Sequence, residues 1–349
     1  MDYRPLGRTG VPVSALSLGT MTWGEQNTES EAFAQMDRAV AAGINLFDTA
    51  EMYPVPPRAE TATRTETIIG NWFAARPGMR DRVVLATKVA GRGEMTWLRA
   101  DGRAPRVSAR DIEEAVEASL RRLRTDRIDL YQVHWPDRPV ARFGANPTVF
   151  EVPARPDDEV PIEASLAAMD RLVAAGKVRF VGLSNESTWG LMRWLAAADP
   201  LPRVASIQNA YNLLNRTFEV NLAEACLRED VALLAYSVLA QGYLTGKYRG
   251  GALPEGARKT LFNRLQRYEG PGAEETNDTY VAVAEAAGLD PAQMAIAFAL
   301  SRPFVTSVIL GATTLAQLET ALGAADLTIP ADVLAEIDRI HRARGNVAP

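Results

Sequence analysis

The sequence has one cysteine, Cys226, in 349 residues, so an internal disulfide framework and a cysteine-based zinc cage are both excluded. It has two histidines, His134 and His341, too few for a metal centre built on several imidazoles. No run reaches the roughly 18 consecutive apolar residues that a membrane-spanning helix needs. The first residues, from Met1 to Gly10, lack the basic-then-apolar pattern of a secretion signal. Positive charge is not in excess either: 38 Lys and Arg stand against 43 Asp and Glu, for a net charge of −5. That argues against nucleic acid as the main partner. These absences lead us to expect a cytoplasmic protein that engages neither nucleic acid nor a membrane and holds no metal. Nothing in them fixes an oligomeric state.

What the sequence does have is an alternation. Short aliphatic or β-branched runs occur at Ala15–Leu18, Ile44–Phe47, Val83–Thr87, Ile128–Val133, Val178–Leu183, Val204–Gln208, Val231–Ala235 and Val305–Leu310. Between them lie segments with apolar residues at helical spacing, such as Ile112, Val116, Leu120 and Leu123. Ser108 and Ser187 stand where they would cap helices over Ala109–Arg124 and Thr188–Ala198. Gly43 and Gly176 stand where helices should stop. Strands alternating with helices imply βαβ units and a parallel sheet. The competing architecture is an open doubly wound sheet, which should show GxGxxG after its first strand, and none is present. Gly242–Lys247 only faintly resembles a phosphate loop. We therefore expect one domain over 1–349, a (β/α)8 TIM barrel. An N-terminal hairpin, Tyr3–Leu6 with Val11–Ala15, would close its bottom. Pro54–Arg64 and Trp135–Pro161 would be long loops at the C-terminal face, where barrel enzymes keep their sites.

Polar residues gather at the C-terminal ends of the expected strands: Asp48 and Tyr53, Lys88, His134, Ser184 and Asn185, Gln208, then Tyr236 and Ser237. Each has a bland reading, as a helix cap, a surface lysine, loop packing or a core histidine. Together they describe a site. A phenol is a poor proton donor near neutral pH, and a nearby ammonium would lower its pKa. Lys88 could be that ammonium, Asp48 its counter-ion, and His134 a donor to a substrate oxygen. Such a set suits protonation of a carbonyl oxygen as hydride reaches the carbon.

At these positions the chain resembles the aldo-keto reductase superfamily. The motifs are Gly19-Thr20-Met21-Thr22-Trp23-Gly24, Gly43 to Tyr53, Thr87-Lys88, Asp129 to His134, Gly182 to Asn185, Gln208-Asn209, Tyr236-Ser237 and Leu310 to Thr314. The Pro-rich stretch after Tyr53, with Val133-His134-Trp135-Pro136, is most similar to the bacterial Tas-type branch. The resemblance implies a TIM barrel that binds NADP(H) without a Rossmann domain and reduces aldehyde or ketone carbonyls of small molecules. It implies Asp48, Tyr53, Lys88 and His134 as the catalytic tetrad. It implies that Gly19, Thr20 and Met21 lie against the cofactor and that Ser184, Asn185 and Gln208 hold its carboxamide. Tyr236 would stack on the nicotinamide, and Ser237, Val238, Leu239 and Gln241 would wrap the pyrophosphate. Lys247 and Arg264 would lie beyond it, with Gly311, Thr313 and Gln317 at the adenosine end. Trp23 and Trp135 would meet the substrate. Two positions depart from the family: Thr320 and Ala321 stand where many members carry Glu-Asn. A second reading, a cofactor-binding regulatory or redox-sensing subunit with slow turnover, stays open at this point. A metal-dependent barrel hydrolase does not suit two histidines.

Overall fold

A computed structural model describes residues 1–141, 143, 149, 151–264 and 266–348. Strands β1 (Tyr3–Pro5) and β2 (Pro12–Ser14) pair antiparallel as the expected hairpin. Eight further strands follow: β3 (Leu16–Gly19), β4 (Leu46–Asp48), β5 (Val84–Val89), β6 (Ile128–Val133), β7 (Val178–Ser184), β8 (Val204–Ala210), β9 (Ala232–Tyr236) and β10 (Val305–Leu310). Each pairs in parallel with its sequence neighbour, and β10 pairs with β3, so the sheet is a closed barrel. Helices α1 (Glu29–Ala41), α2 (Arg64–Ala75), α3 (Met79–Arg82), α4 (Ala109–Leu123), α5 (Ile162–Ala174), α6 (Thr188–Ala196) and α7 (Leu222–Glu229) fall in the connections of the first half and middle. The long connection from β9 to β10 holds α8 (Arg258–Phe262), α9 (Ala273–Ala286) and α10 (Pro291–Leu300). After β10 come α11 (Leu315–Leu322) and α12 (Ala331–Arg344). No helix among the described residues is long and apolar enough to cross a membrane.

The caps expected from sequence form. Ser108 accepts a hydrogen bond from the Asp111 amide at the start of α4, and Ser187 accepts one from Gly190 at the start of α6. Thr28 and Glu31 make a reciprocal capping box on α1.

Strand periodicity decides what enters the barrel. Side chains two apart share a face, so Val84 and Ala86 point inward with Lys88 above them, and Leu130 points inward with Gln132 above it. Leu46, Val84, Ala86, Leu130, Ala232, Leu234 and Ile309 form a buried apolar plug, and Leu6 and Val13 of the hairpin segment close it from below. A larger apolar shell lies between barrel and helices. The interior is thus apolar at the bottom and polar at the C-terminal end. Gly182 keeps that polar layer open: a Cβ there would come within 2.9 Å of Gln132 Cγ and 2.7 Å of Ser206 Oγ.

Candidate active site

Asp48 ends β4 and is buried. Lys88 Nζ, fully buried, donates to Asp48 Oδ2 at 2.6 Å and to the Thr49 carbonyl at 2.8 Å. The other carboxylate oxygen of Asp48 accepts from Gln208 Nε2 at 2.8 Å and from Gln132 Nε2 at 3.1 Å. The carboxylate is therefore held by an ammonium and two amides. Such a buried ion pair persists only when its remaining lone pairs are satisfied. Gln132 was not singled out from the sequence. Its signal is the parity of β6, which points it inward with Leu130 and His134.

Tyr53 stands above this pair. Lys88 Nζ lies 5.1 Å from the centre of the Tyr53 ring, and the His134 ring meets that ring edge-on at 5.7 Å. The loop carrying Tyr53 is tied to the strand carrying Lys88, because the Glu51 amide donates to the Lys88 carbonyl. The Glu51 carboxylate accepts from the Ala90 amide and from both terminal nitrogens of Arg99. Arg99 is buried and also bonds Asp111 of α4.

The electrostatics differ from the sequence expectation. Burial pushes the Tyr53 phenol well above its usual pKa, the Asp48 charge pushes it further, and Arg258 pulls it down. Asp48, paired with Lys88 at 2.6 Å, offsets the lowering charge of the ammonium. Burial also lowers the pKa of the Lys88 ammonium, opposed by Asp48. The phenol is consequently fully protonated at neutral pH.

A cavity of about 700 Å³ opens above these groups. Asp48, Tyr53 and His134 line its floor, and Lys88 lies beneath Asp48 rather than on the wall. Every residue expected at the cofactor lies on this wall, from Gly19 to Gln317. Asn185 links them: its amide nitrogen donates to the His134 carbonyl at 2.9 Å and to Ser184 Oγ at 3.0 Å, and its oxygen accepts from the Tyr236 hydroxyl at 2.6 Å. Thr313 and Gln317 bond one another. Thr320 and Ala321, the two departures from the family pattern, are also on the wall. Trp135 lines the cavity, with its ring 4.8 Å from that of His134.

Trp23 is elsewhere. It is fully buried between barrel and helices, where its indole nitrogen donates to Gln35 of α1 at 3.2 Å. It is a core residue, and the substrate contact expected of it is not made by this geometry. Phe143, half exposed, packs edge-on against both His134 and Trp135. Within the long loop Trp135–Pro161, Arg138 is committed to Glu186, while Arg142 and Phe150 lie outside the described residues.

The sequence reading also missed Arg258. It lines the cavity, and burial pushes its pKa down to about 10, helped by the charges of Arg264 and Arg267. Among the described residues neither Arg258 nor Lys247 has a carboxylate within ion-pair distance. Backbone geometry next to them is unusual. Ser237, Ala240, Gln241 and Gly242 all have positive φ, at 55°, 47°, 56° and 102°. In these turns the Ala240 and Gly242 amides bond the Ser237 and Leu239 carbonyls, both at 2.8 Å, which folds the backbone tightly along the cavity wall. Gln241 Oε1 is buried in this region without a hydrogen-bond partner among the described residues. Gly311 leaves the opposite wall open, with nothing within 4 Å of where a Cβ would sit. Two cations on this wall without carboxylate partners among the described residues, Lys247 and Arg258, fit a phosphate-bearing dinucleotide.

The comparisons agree with this geometry. The sequence pattern of the Aldo/keto reductase family matches residues 15–342. Protein tas of Escherichia coli (strain K12) is 49% identical over 356 residues, covering 100% of both chains. An uncharacterized oxidoreductase of Bacillus subtilis (strain 168), YrpG, is 33% identical over 360 residues, covering 100% of this chain and 98% of its own. An aldo-keto reductase of Babesia bovis is 37% identical over 280 residues, covering 74% of this chain and 96% of its own. Closed parallel barrel, polar mouth and full-length relatives lead to one statement: the chain belongs to the aldo/keto reductase family of oxidoreductases, in its Tas-type branch.

Proposed function

We propose that the chain is an NADP(H)-dependent reductase of small aldehydes and ketones, acting as one domain over residues 1–349, with Tyr53 as the general acid. The observation that carries this reading is the buried Lys88–Asp48 pair beneath Tyr53 and His134 on the floor of a 700 Å³ cavity. NADPH, when bound, supplies the hydride. The Ser237–Gly242 backbone, Lys247, Arg258 and Arg264 would hold its phosphates, and Ser184, Asn185 and Gln208 its carboxamide. Tyr236 would lie against the nicotinamide face.

The protein's own contribution is the proton. Burial keeps the Tyr53 phenol protonated, so the acid form needed for reduction is fully stocked at neutral pH. As negative charge develops on the carbonyl oxygen, the Tyr53 hydroxyl gives up its proton to it. Lys88 beneath the ring and the charge of Arg258 then limit the cost of the phenolate left behind. Asp48 keeps the Lys88 ammonium charged and fixed, and Gln132 and Gln208 keep Asp48 fixed. His134 meets the same point edge-on and would orient the carbonyl. The buried, unpaired Arg258 beside Lys247 favours NADPH over NADH, since a guanidinium binds a phosphate in bidentate fashion.

Steady-state NADPH oxidation with a panel of aldehydes tests the activity, and Tyr53→Phe tests the acid. The variant should lose at least about a thousandfold in kcat while NADPH affinity stays within a few-fold, because its hydroxyl acts only in the chemical step. Near wild-type turnover by Tyr53→Phe would sink the assignment.

A further inference from the structure

The stretch from Arg258 to Tyr268 brings three arginines to the cavity wall: Arg258, Arg264 and Arg267. Among the described residues none of the three has a carboxylate within ion-pair distance. The carboxylates on the wall are already used. Asp48 is held by Lys88, and Asp290 caps α10 by accepting from the Gln293 amide at 2.9 Å. Arg92, also on the wall, is committed to Asp137 and Asp158.

The three arginines do not face the same neighbours. Arg258 lies by Lys247, whose pKa its charge lowers, on the wall that the positive-φ backbone also lines. Arg267 is near enough to Arg258 for its charge to lower that guanidinium's pKa, and it reaches the aromatic wall as well. Its guanidinium is 6.0 Å from the centre of the Phe143 ring. Phe143 is edge-on to His134 at 6.4 Å and to Trp135 at 5.5 Å. The same guanidinium sits beside the Tyr236 hydroxyl, where it opposes the burial that pushes this phenol up to about 12. Arg267 thus stands beside Tyr236 and the aromatic wall of Phe143, Trp135 and His134. Met52, Met95 and Val55 add apolar surface around Tyr53 and Trp135. A cation on an apolar wall without a protein counter-ion is costly unless a ligand supplies the anion.

We propose that Arg267 selects carbonyl substrates that carry a carboxylate, the anion pairing with its guanidinium while the carbonyl meets Tyr53 and His134. The inference rests on the reductase reading above and names its substrate class. A planar guanidinium binds a carboxylate through two parallel hydrogen bonds, so the pairing also fixes the orientation of the bound molecule. Phe143 and Trp135 would cover its apolar body.

The test compares an acid with its ester. Terephthalaldehydic acid and its methyl ester differ in charge, and the ester has the more electrophilic aldehyde, so a preference for the acid does not come from carbonyl reactivity. With wild-type protein and NADPH, kcat/KM for the acid should exceed that for the ester by about tenfold or more. In Arg267→Gln that ratio should collapse to near one, and Arg267→Lys should recover part of it. Because the readout is a ratio within each variant, a general loss of activity cancels. A ratio near one in the wild type, or a ratio unchanged in Arg267→Gln, overturns the proposal. So does a drop in NADPH affinity with the ratio retained, which would assign Arg267 to the cofactor. Calorimetry gives a readout free of turnover. The product acid, p-(hydroxymethyl)benzoate, should bind the NADP⁺-loaded protein about tenfold tighter than its methyl ester, and that margin should vanish in Arg267→Gln. If neither aldehyde is reduced while this binding preference holds, the reductase reading fails and the anion site stands. If the acid binds no better than the ester, the anion site fails.

Discussion

At Tyr53 the polarity of the residue is set by what surrounds it, not by its type. Asp48, placed to fix Lys88, also repels a phenolate, and Arg258 pulls the other way. The sequence showed which side chains meet at the barrel mouth but not the sign of their net effect. That sign depends on a 2.6 Å ion pair which offsets the lysine. Arg258 was invisible for a related reason: it stands in a stretch without periodicity, and only the folded course of the chain brings it over the site. Its substitution is the sharpest check at this scale. Losing a charge-assisted phosphate contact costs about 1.5–3 kcal/mol, so Arg258→Ala should weaken NADPH binding by roughly ten- to a hundredfold. NADH, which lacks the extra phosphate, should lose less if Arg258 meets that phosphate, and fluorescence titration with both cofactors measures the difference. Equal affinities before and after the change would remove Arg258 from the cofactor site. Trp23 was misjudged because its motif lies at the mouth. Its partner Gln35 is a helix away, and nothing local announces that contact.

Among the elements, the strands were legible almost to the residue, since each is a compact β-branched run between turn signals. Ile128–Val133 and Val305–Leu310 match their expected bounds, while β4 is shifted to Leu46–Asp48. The loop after β5 was not legible. Its content is ionic: Arg99 is fully enclosed between Glu51 on the Tyr53 loop and Asp111 on α4. This bridge fastens a functional loop to a helix through charge, and no hydrophobic pattern marks it. Arg99→Met would leave the buried Glu51 carboxylate without a counter-ion, while Asp111 keeps Arg103 at 3.1 Å; removing one partner of such a buried pair costs about 3–5 kcal/mol. Urea denaturation should show that loss, and adding Glu51→Gln should recover part of it. A single variant within about 1 kcal/mol of wild type would mean that the bridge carries little stability.

For the molecule as a whole, buried acids that ionise in alkali set a limit. Burial pushes the Cys226 thiol from 9.0 to about 12, and the Tyr236 and Tyr280 phenols from 10.0 to about 12. In each case the folded state keeps a proton that the unfolded chain gives up sooner. Their contribution is therefore fully present below about pH 9 and is lost as pH rises from 9 through 12. The urea midpoint should fall between pH 8 and about pH 10.5, and a flat or rising midpoint would contradict this. Barrel closure has a consequence of another kind, in the time course of synthesis. The Ser17 hydroxyl of β3 bonds the Val308 carbonyl of β10, 291 residues later. A ribosome adding about 5–20 residues each second needs roughly 15–60 s to cover that interval. Throughout it, one edge of β3 waits for its neighbour with N–H and C=O groups unpaired. The nascent chain is then an open, curling sheet with a sticky margin. Chaperones that shield strand edges should be needed most just before the last strand leaves the exit tunnel.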